Sequence, residues 1–408
     1  MKILMITPYV TITSRPEFSR NKTGFGYMVY DIAKAVSKLE QVDVLCTDSR
    51  GKEFNQDGIH FLERKWSNIF GNLLDCIPIS LLNTLLRKYH PSKGASVRLL
   101  YYWLMSGYIS QIIEKGNYDI IHIHGCAFSG TLWEAVCKRK GVKVLYTLHG
   151  LNSFSDTINM ESAGKQYERD FLKQMIEGEK CITVISSGIK RVVEKHYRKP
   201  CSNMFVVNNF FSFTPSKGEK INIRKQYDIP LYSKIVLCIG NISKWKNQKQ
   251  LVTSFGLMGK DICKNTYIFF LGGLQNAESM SKIIETNSWR KHFILCGSID
   301  KELVPQYYEA GDAVALISLS EGFGLSLIEG MHFGLPCMTF TDIDAYTDIY
   351  SPDTVVGVKE HTDEAVAKGL ELLLTTKWEK SAIIDHSHKF EDGEMAKKYI
   401  EVYKKIRL

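Results

Sequence analysis

The sequence predicts an α/β protein made of two doubly wound, Rossmann-like domains that face each other across a cleft. Its 408 residues are enough for two or three domains of about 150 residues each. Short apolar runs rich in β-branched residues alternate with helical patterns along both halves of the chain. A hydrophobic fraction of 44% with 24% charged residues is typical of a folded globular protein and excludes a disordered chain.

The predicted strands are nearly continuous apolar runs, as parallel strands covered on both faces are. In the first half they are residues 2–7, 42–47, 119–124, 143–149, 181–186 and 205–209. In the second half they are residues 235–240, 268–273, 292–297, 313–318, 335–340 and 355–358. Helical patterns lie between them, such as the i, i+3, i+4, i+7, i+10 series of Val29, Ile32, Ala33, Val36 and Leu39. This alternation favours two parallel sheets with helices on both faces.

A break in both patterns separates the two halves. The segment 214–218, TPSKG, has turn-forming residues and no hydrophobic periodicity. We therefore expect an N-terminal domain of residues 1–212 and a C-terminal domain of residues 213–390. Residues 391–408 are expected to form a last helix that packs back toward the N-terminal domain.

Residues 60–113 interrupt the alternation with a basic, amphipathic insertion. Its charged residues are Arg64, Lys65, Arg87, Lys88, Lys93 and Arg98 against Glu63 and Asp75. The helical face expected to be apolar comprises Tyr101, Leu104, Met105, Tyr108 and Ile112. Such a segment can lie on an anionic membrane surface, or it can simply pack on its own domain.

The charge of the chain is unevenly distributed. Residues 1–210 hold 28 Lys and Arg against 19 Asp and Glu, a net of +9, while the remainder holds 24 against 25, a net of −1. This asymmetry favours a polyanionic or membrane-surface partner for the first half, or a solvated basic surface.

The cysteines and the apolar runs indicate a cytoplasmic protein. No C-x-x-C pair occurs among the ten cysteines, which argues against a zinc knuckle and a thioredoxin-like redox pair and favours buried, reduced thiols. No apolar run approaches the ~18 residues of a membrane span. Pro8 ends the first run too early for a signal peptide. We expect the protein in the cytoplasm, at the inner face of the membrane if the insertion binds lipid.

A glycine-rich turn between a strand and a helix carries the strongest functional signal. The turn EGFG, residues 321–324, follows the strand 313–318, and a helix is expected to begin near Leu325. In an open parallel sheet this turn lies at the carboxyl edge, where ligands bind, and the helix N-terminus offers N–H groups to a diphosphate. Glu329 can accept two hydrogen bonds from the vicinal hydroxyls of a ribose, and Glu321 can reach a sugar hydroxyl.

The stretch from Glu321 to Pro336 resembles the signature of the retaining GT-B glycosyltransferases of family 4. It matches the consensus E-G-x-G-x-x-x-x-E-x-x-x-x-G-x-P in every fixed position. Residues 235–247, IVLCIGNISKWKN, are similar to the family's phosphate-binding strand and loop. Residues 119–124 and 145–150 are similar to two strand ends of its first domain. The resemblance extends over nearly the whole chain and implies the GT-B fold.

The resemblance implies a role for each matching residue. Lys246 would neutralise the leaving diphosphate, and His149 would lie near the transferred sugar. Glu329 would hold the nucleotide ribose and Glu321 the donor sugar. Gly24 would belong to a glycine loop that closes over the phosphates. The implied catalytic residues are His149, Glu321 and Lys246, and the implied donor-binding residues are Gly24, Asn241, Lys246, Gly322, Phe323, Gly324, Leu325 and Glu329.

The implied function is retaining transfer of a sugar from a nucleotide-diphosphate sugar to a glycan or lipid-linked acceptor, in cell-surface polysaccharide or glycoconjugate synthesis. The expected partners are the donor, the acceptor and an anionic membrane surface, with no cofactor, no metal and no nucleic acid. A nucleotide-sugar epimerase of similar fold and a non-catalytic sugar-nucleotide-binding protein are the alternatives. The intact Glu321, Glu329 and Lys246 argue against the non-catalytic one.

Two positions depart from the family pattern. Asn241 stands where the family usually has Arg, which removes one bidentate phosphate contact. Either the nearby Lys244 compensates for this loss, or the donor is held less tightly. The loop that contains Gly24 reads Gly-Phe-Gly where paired glycines are common. Neither departure involves the two glutamates.

Three weaker motifs point to other functions. Val29 replaces the third glycine of a dinucleotide fingerprint, which disfavours a nicotinamide enzyme. A D-x-D motif holds a divalent metal in a different glycosyltransferase fold. Here residues 342–344 follow the predicted strand 335–340, and we expect them to form a solvated loop. We expect His122 and His124 to point to opposite faces of their strand, so that only one faces the cleft and no metal site is supported.

Overall fold

A computed structural model gives the fold and describes residues 1–18, 23–49, 51–125, 127–151, 153–154, 161–178, 180–212, 221–273 and 277–407. The chain divides into two compact units, each with its own sheet. The first unit comprises Met1–Asn208 and Asp392–Leu408, and the second comprises Asn209–Glu391.

The sheet of the first unit contains, among the described residues, eight strands. They are β1 (Lys2–Thr7), β2 (Gln41–Cys46), β3 (Phe54–Gln56), β4 (Ile59–Phe61), β5 (Ile120–His124), β6 (Lys143–Leu148), β7 (Cys181–Val184) and β8 (Met204–Val206). Their order across the sheet is β3-β4-β2-β1-β5-β6-β7-β8. All neighbours are parallel except β3 and β4, which form an antiparallel hairpin at the edge.

Helices connect these strands. They are α1 (Gly24–Ser37), α2 (Trp66–Phe70), α3 (Ile79–Tyr89), α4 (Lys93–Gly116), α5 (Phe128–Lys140), α6 (Ser162–Ile176) and α7 (Ser187–Tyr197), with short 3₁₀ turns at Pro16–Phe18 and Leu73–Asp75. The Ser186 hydroxyl accepts a hydrogen bond from the Ile189 amide and so caps α7. Gly141, in the left-handed region, ends α5.

The second unit has a parallel sheet of β9 (Lys234–Ile239), β10 (Thr266–Leu271), β11 (Phe293–Gly297), β12 (Ala313–Leu316), β13 (Cys337–Phe340) and β14 (Val355–Val358). Their order is β11-β10-β9-β12-β13-β14, which reverses direction between β9 and β12. The helices are α8 (Ile223–Gln226), α9 (Gln248–Phe255), α10 (Lys260–Lys264), α11 (Ala277–Thr286), α12 (Val304–Ala310), α13 (Leu325–His332), α14 (Tyr346–Ile349), α15 (Asp363–Thr375) and α16 (Lys380–Ser387), with 3₁₀ turns at Arg290–His292 and His388–Phe390.

The last helix, α17 (Asp392–Arg407), packs on the first unit although the second unit precedes it in the chain. Lys38 at the end of α1 forms an ion pair with Asp392, with 2.6 Å between Nζ and Oδ2. Tyr399 and Tyr403 are buried against β5, and the Tyr403 hydroxyl lies 2.7 Å from Nδ1 of His122. The helix therefore completes the core of the first unit.

The predicted fold class is confirmed, since each predicted apolar run overlaps a strand of one of two Rossmann-like sheets. The boundary between the units differs from the predicted one. The structure divides the chain after Asn208, whereas the sequence places the boundary after residue 212. The Phe211 amide donates to the Phe390 carbonyl at 3.2 Å and its ring contacts His332, so this segment belongs to the second unit. The segment 214–218 lies outside the described residues.

The insertion forms α2, α3 and α4 on the first unit, with α4 packed along α5. The buried face of α4 is displaced by about one position from the predicted one, and Met105 is the residue that both share. The face that packs inward comprises Leu99, Tyr102, Met105, Ser106, Ile109 and Ile113. Tyr102 lies edge-on to the buried Trp133 of α5, which fixes the rotation of the helix.

The outer side of the insertion exposes large apolar side chains to solvent. They are Trp66, Phe70, Leu73, Leu74, Ile79, Val97 and Leu100, here called the exposed apolar residues of the insertion. Leu74 is fully exposed at the 3₁₀ turn between α2 and α3. None of the helices in the described part of the chain is both long and apolar enough to cross a membrane.

Candidate active site

The candidate site of the second unit lies where the strand order reverses. β9 is flanked by β10 on one side and β12 on the other, so the loops that leave β9 and β12 diverge at their carboxyl ends. In open parallel sheets, ligands bind in the crevice at this switch point. The Leu319 amide donates to the Trp245 carbonyl at 2.8 Å and joins the two loops.

An ion pair links these loops. Nζ of Lys246, from the loop after β9, pairs with Oε2 of Glu321, from the loop after β12. The Ser318 hydroxyl donates to the same carboxylate oxygen at 3.3 Å. The Lys246 and Glu321 side chains are 30% and 16% exposed, so the pair is partly shielded yet reachable by a ligand. The arrangement places one ammonium and one carboxylate beside the first turn of α13.

The start of α13 has a backbone that requires glycine. Gly324 has a φ of +90°, and a Cβ there would lie 3.0 Å from Leu316 Cδ2 and 3.2 Å from Leu327 Cδ1. No side-chain hydrogen bond caps this helix. The Leu327 amide donates to the Gly324 carbonyl at 3.0 Å. The N–H groups that precede it at the start of the helix suit an anion, which the positive end of the helix dipole also favours.

The other turn residues hold this backbone in place. Gly322 lies in the bend before the helix, and Leu325 is the first helical residue. Phe323 is 2% exposed and packs edge-on against Phe390, with 5.8 Å between the ring centroids. Phe323 thus anchors the turn from inside the unit, whereas the sequence resemblance groups it with the donor-binding residues.

A buried tyrosine holds Glu329. The Tyr308 hydroxyl, on α12, donates to Glu329 Oε2 at 2.7 Å. Burial, and then the neighbouring Glu329 charge, raise the pKa of Tyr308 well above its usual value, so the tyrosine remains a neutral donor. Tyr308 is not identified from the sequence, because it precedes Glu329 by 21 residues on another helix and no local pattern joins them.

Asn241 has a structural contact in the loop after β9. Its Oδ1 accepts a hydrogen bond from the Gly273 amide at 2.8 Å, which joins this loop to the one after β10. Gln248, 2% exposed, donates to the carbonyls of Gly240 and Asn241 at 3.2 and 3.1 Å. Its Oε1 accepts from the Ser243 amide. Gln248 therefore shapes the loop that presents Lys246, a role that the sequence alone does not indicate.

The first unit has a second cluster at the carboxyl ends of β5 and β6. His149 follows β6, and its Nε2 lies 3.2 Å from Nδ1 of His124 at the end of β5. The ring of His122 lies tilted against that of His124, with 4.1 Å between the ring centroids. The expectation that His122 and His124 face opposite ways is wrong, because residues two apart in a strand share one face.

These three histidines are neutral. Burial lowers the pKa of His122 and of His149 to about 3, and it lowers the pKa of His124 well below the usual value. Their mutual repulsion when charged acts in the same direction for His122 and His124. The cluster can therefore exchange hydrogen bonds with a ligand without carrying a positive charge.

Gly24 begins a helix, whereas the resemblance implies a loop at this position. It is the first residue of α1, is exposed, and follows Thr23, whose hydroxyl accepts from the Gly26 amide at 3.2 Å. The neighbouring Phe25 lies edge-on to His149 at 4.9 Å and to Tyr9 at 5.4 Å between ring centroids. Gly24 and His149 are thus joined through Phe25, whose contacts the sequence does not reveal.

No metal-binding cluster of three or more His, Cys, Asp or Glu residues occurs among the described residues. Asp342 of the D-x-D motif pairs with His361, with 3.0 Å between Oδ2 and Nε2, on the surface of the second unit.

Each unit contains a cluster of candidate site residues of its own. The cluster of the second unit is Lys246, Glu321 and Glu329, and that of the first unit is His149 with Phe25.

Family models match both halves of the chain. The model described as Glycosyltransferase Family 4 matches residues 23–212, and the model described as Glycosyl transferases group 1 matches residues 219–390. The second match includes every residue of the Lys246, Glu321 and Glu329 cluster. The first includes Gly24, Phe25 and the three histidines.

Individual relatives agree with these models. D-inositol 3-phosphate glycosyltransferase of Corynebacterium aurimucosum is 24% identical over 303 residues, which are 70% of this chain and 72% of that protein. A glycosyltransferase from Rickettsia africae ESF-5 has a TM-score of 0.69 at 19% identity and covers 99% of this chain and 98% of its own. Anabaena Alr3699/HepE in complex with UDP has a TM-score of 0.66 at 14% identity, with coverages of 99% and 100%. The chain belongs to the group 1 glycosyltransferases and has the GT-B fold.

Proposed function

We propose that the protein is a retaining glycosyltransferase that moves a hexosyl group from a nucleotide-diphosphate sugar to a glycan or lipid-linked acceptor in cell-surface polysaccharide or glycoconjugate synthesis. The observation that carries the proposal is the Lys246–Glu321 ion pair beside the uncapped N-terminus of α13, at the switch point of the second sheet. Two cationic elements and one carboxylate suit a sugar that is linked to a diphosphate.

The donor would bind along α13. The N–H groups of its first turn and Lys246 would contact the diphosphate, and Glu329, held by Tyr308, would accept hydrogen bonds from the ribose hydroxyls. A neighbouring structure that contains UDP supports a nucleotide as the ligand of this fold. No cofactor or metal enters this scheme, because Lys246 and the helix supply the counter-charge.

The reaction would exchange one bond of the anomeric carbon for another. The bond from this carbon to the diphosphate oxygen breaks, and the bond to the acceptor hydroxyl oxygen forms on the same face of the sugar. The acceptor proton passes to the departing phosphate oxygen, so no strong enzymic base is needed. Negative charge grows on the diphosphate in the transition state, where Lys246 stabilises it most.

His149 and Glu321 would contact the transferred sugar. Glu321 is oriented by Ser318 and Lys246, and it can accept a hydrogen bond from a sugar hydroxyl. His149 is neutral at physiological pH because burial lowers its pKa to about 3. A neutral imidazole near the anomeric carbon avoids repelling the positive charge that develops there.

The acceptor side would lie at an anionic membrane surface. The exposed apolar residues of the insertion form the kind of apolar surface that marks interaction sites. Lys65 and Lys88 beside them pair with Glu63 and Asp170, whereas Arg87, Lys93 and Arg98 are exposed basic residues of the same segment. Apolar insertion together with basic charge suits a bilayer of anionic lipids. We place the reaction in the cytoplasm, where the nine free cysteines of the described residues would remain reduced.

An assay of donor and product decides between this proposal and its alternatives. The protein is screened against nucleotide sugars for thermal stabilisation, since a ligand at 100 times its Kd adds ~2.7 kcal/mol. The stabilising donor is then incubated with acceptor candidates in EDTA, and NMR of the anomeric proton reports the linkage. We expect a retained configuration and full activity in EDTA. Inversion, or activity that requires manganese, contradicts the mechanism. Conversion of the donor sugar without acceptor indicates an epimerase, and binding without turnover indicates a non-catalytic protein.

A further inference from the structure

The histidine cluster of the first unit contains a buried nitrogen with no partner. Nε2 of His124 makes no hydrogen bond within the described residues, although the side chain is 2% exposed. The other ring nitrogen of His124, Nδ1, lies 3.2 Å from Nε2 of His149. One of these two facing nitrogens must carry the proton of this hydrogen bond, since each neutral imidazole has one donor and one acceptor.

His122 takes no part in the hydrogen bond between His124 and His149. Nδ1 of His122 lies 2.7 Å from the Tyr403 hydroxyl, and its Nε2 lies 2.6 Å from the Thr147 hydroxyl. Both ring nitrogens of His122 thus have hydroxyl partners, and its ring meets that of His124 in a tilted contact without a hydrogen bond. Because burial keeps His124 and His149 neutral, just two proton arrangements are available to that pair.

The two arrangements differ in whether the buried Nε2 of His124 carries a proton. If His149 donates from Nε2, His124 must carry its proton on Nε2, where a buried N–H finds no acceptor. If His124 donates from Nδ1, its Nε2 is an unprotonated lone pair. Buried N–H groups without an acceptor are rarer and costlier than acceptors without a donor. The second arrangement is therefore the stable one.

We infer that His124 is a positioning residue that donates from Nδ1 to Nε2 of His149 and thereby holds the proton of His149 on Nδ1. Among the described residues, Nδ1 of His149 makes no hydrogen bond, and it is not one of the buried unpaired nitrogens, so it is open to a ligand. His149 then presents an N–H donor, which suits a sugar hydroxyl oxygen. The role in sugar binding rests on the proposed function, whereas the proton position does not.

The proton position can be measured on the free protein. Protonated and unprotonated imidazole nitrogens have well-separated ¹⁵N chemical shifts, and a sample labelled in histidine reports them directly. The His149→Gln variant assigns the His149 signal. We expect His149 to be protonated at Nδ1 at pH 7.5. Protonation at Nε2 overturns the inference. No substrate is needed, so the result is valid even where the proposed transfer activity fails.

Two variants of His124 test the positioning role in transfer. An Asn amide nitrogen occupies nearly the place of imidazole Nδ1, whereas a Gln amide nitrogen occupies nearly the place of Nε2. His124→Asn should keep the donor to His149 and retain activity within about threefold, while His124→Gln should lose about tenfold in kcat, the worth of one ordinary hydrogen bond. The His149 signal should remain Nδ1-protonated in His124→Asn alone. Equal losses in the two variants, with both folded, overturn the positioning role.

Discussion

The two sheets share the order of their central parallel strands, yet the side chains at their carboxyl edges differ in charge. At the switch point of the second unit, between β9 and β12, Lys246 and Glu321 are charged and paired. At the matching place in the first unit, between β1 and β5, the nearby groups are neutral imidazoles and the rings of Phe25 and Tyr9. The fold thus provides a ligand-binding crevice in each unit, and the side chains of the loops determine which chemical group that crevice can bind.

This difference follows from what each unit would handle. A diphosphate needs counter-charge that is already in position, and under the proposed function Lys246 in the loops of the second unit would supply it. A sugar that gains positive charge is better served by neutral groups, which burial secures in the first unit by lowering the pKa of His149 to about 3. Changes at the two edges should therefore have different signatures.

The largest effect on catalysis is expected from removing the positive charge of Lys246. Lys246→Ala should lower kcat/KM by about 100-fold or more, equivalent to ~3 kcal/mol, because the leaving diphosphate loses its main counter-charge. Steady-state kinetics with the identified donor measure the loss. Lys249→Ala, which removes an exposed lysine three residues away, should leave kcat/KM unchanged. Similar losses in both variants would mean that overall charge, and not the Lys246 position, matters.

The two glutamates of the second unit should separate turnover from binding. Glu321→Gln should lower kcat by roughly tenfold to 100-fold, because its partner sugar changes charge in the transition state. Glu329→Gln should raise the Kd for the nucleotide diphosphate by about tenfold, because the ribose is bound equally in ground and transition states. Calorimetric titration and kcat measurements distinguish them. Each variant is the control for the other, and exchanged effects would reverse the assignment.

The neutral histidines predict that the first unit loses stability toward unfolding in acid. The pKa of His122 and His149 is about 3 in the folded chain against 6.5 when unfolded, so the unfolded state binds more protons below pH 6.5. Stability is present above that pH and is lost as the pH falls toward about 3, by roughly 1.4 kcal/mol per pH unit for each histidine. Urea unfolding at pH 7.5 and 5.5, read by pulsed hydrogen exchange of β5 and β6, measures the slope.

A matched pair of variants identifies the source of that slope. His149→Gln should reduce the loss between pH 7.5 and 5.5 by about the contribution of one histidine. His388→Gln, at an exposed position of the second unit, should leave the slope of the first unit unchanged. A slope that both variants reduce alike would show that the buried cluster is not its origin.

The smallest effect on catalysis is expected at the insertion, where substitutions should instead change binding to membranes. Replacing Phe70 and Leu74 together by Asp should weaken binding to vesicles of anionic lipid by about tenfold or more, because inserted apolar area is lost. Co-sedimentation with anionic and with zwitterionic vesicles measures it. Leu231→Asp removes an equally exposed leucine of the second unit and should have no effect. Unchanged vesicle binding by the double variant would exclude the insertion as the membrane contact.

The sequence predicts the sheets well because buried parallel strands have a strong local pattern. The hairpin of β3 and β4 escapes that pattern, since each strand has three residues and only β4 is mostly buried. The apolar face of α4 is misplaced because aromatic residues lie on both sides of the helix, and the contact of Tyr102 with Trp133 decides which side is buried.

The candidate site is predictable only in part, for a related reason. Glu321 and Glu329 lie within one short motif, so their spacing identifies them. Tyr308 and Gln248 act through contacts that form when separate elements pack, and such contacts leave no local pattern. The boundary after Asn208 depends likewise on the contacts of Phe211 with residues far along the chain.

The position of α17 has a consequence for how the chain folds during synthesis. Domains usually fold in the order in which they leave the ribosome. Here the second unit is inserted between the body of the first unit and its last helix, so the second unit is complete before the first. Until Tyr399 and Tyr403 emerge, the space beside His122 that they fill stays open. The 208 residues of Met1–Asn208 therefore remain without the seventeen of Asp392–Leu408 that complete their core. The first unit, although most of it is synthesised before the second, is therefore the one whose folding a stop codon just before Asp392 would prevent.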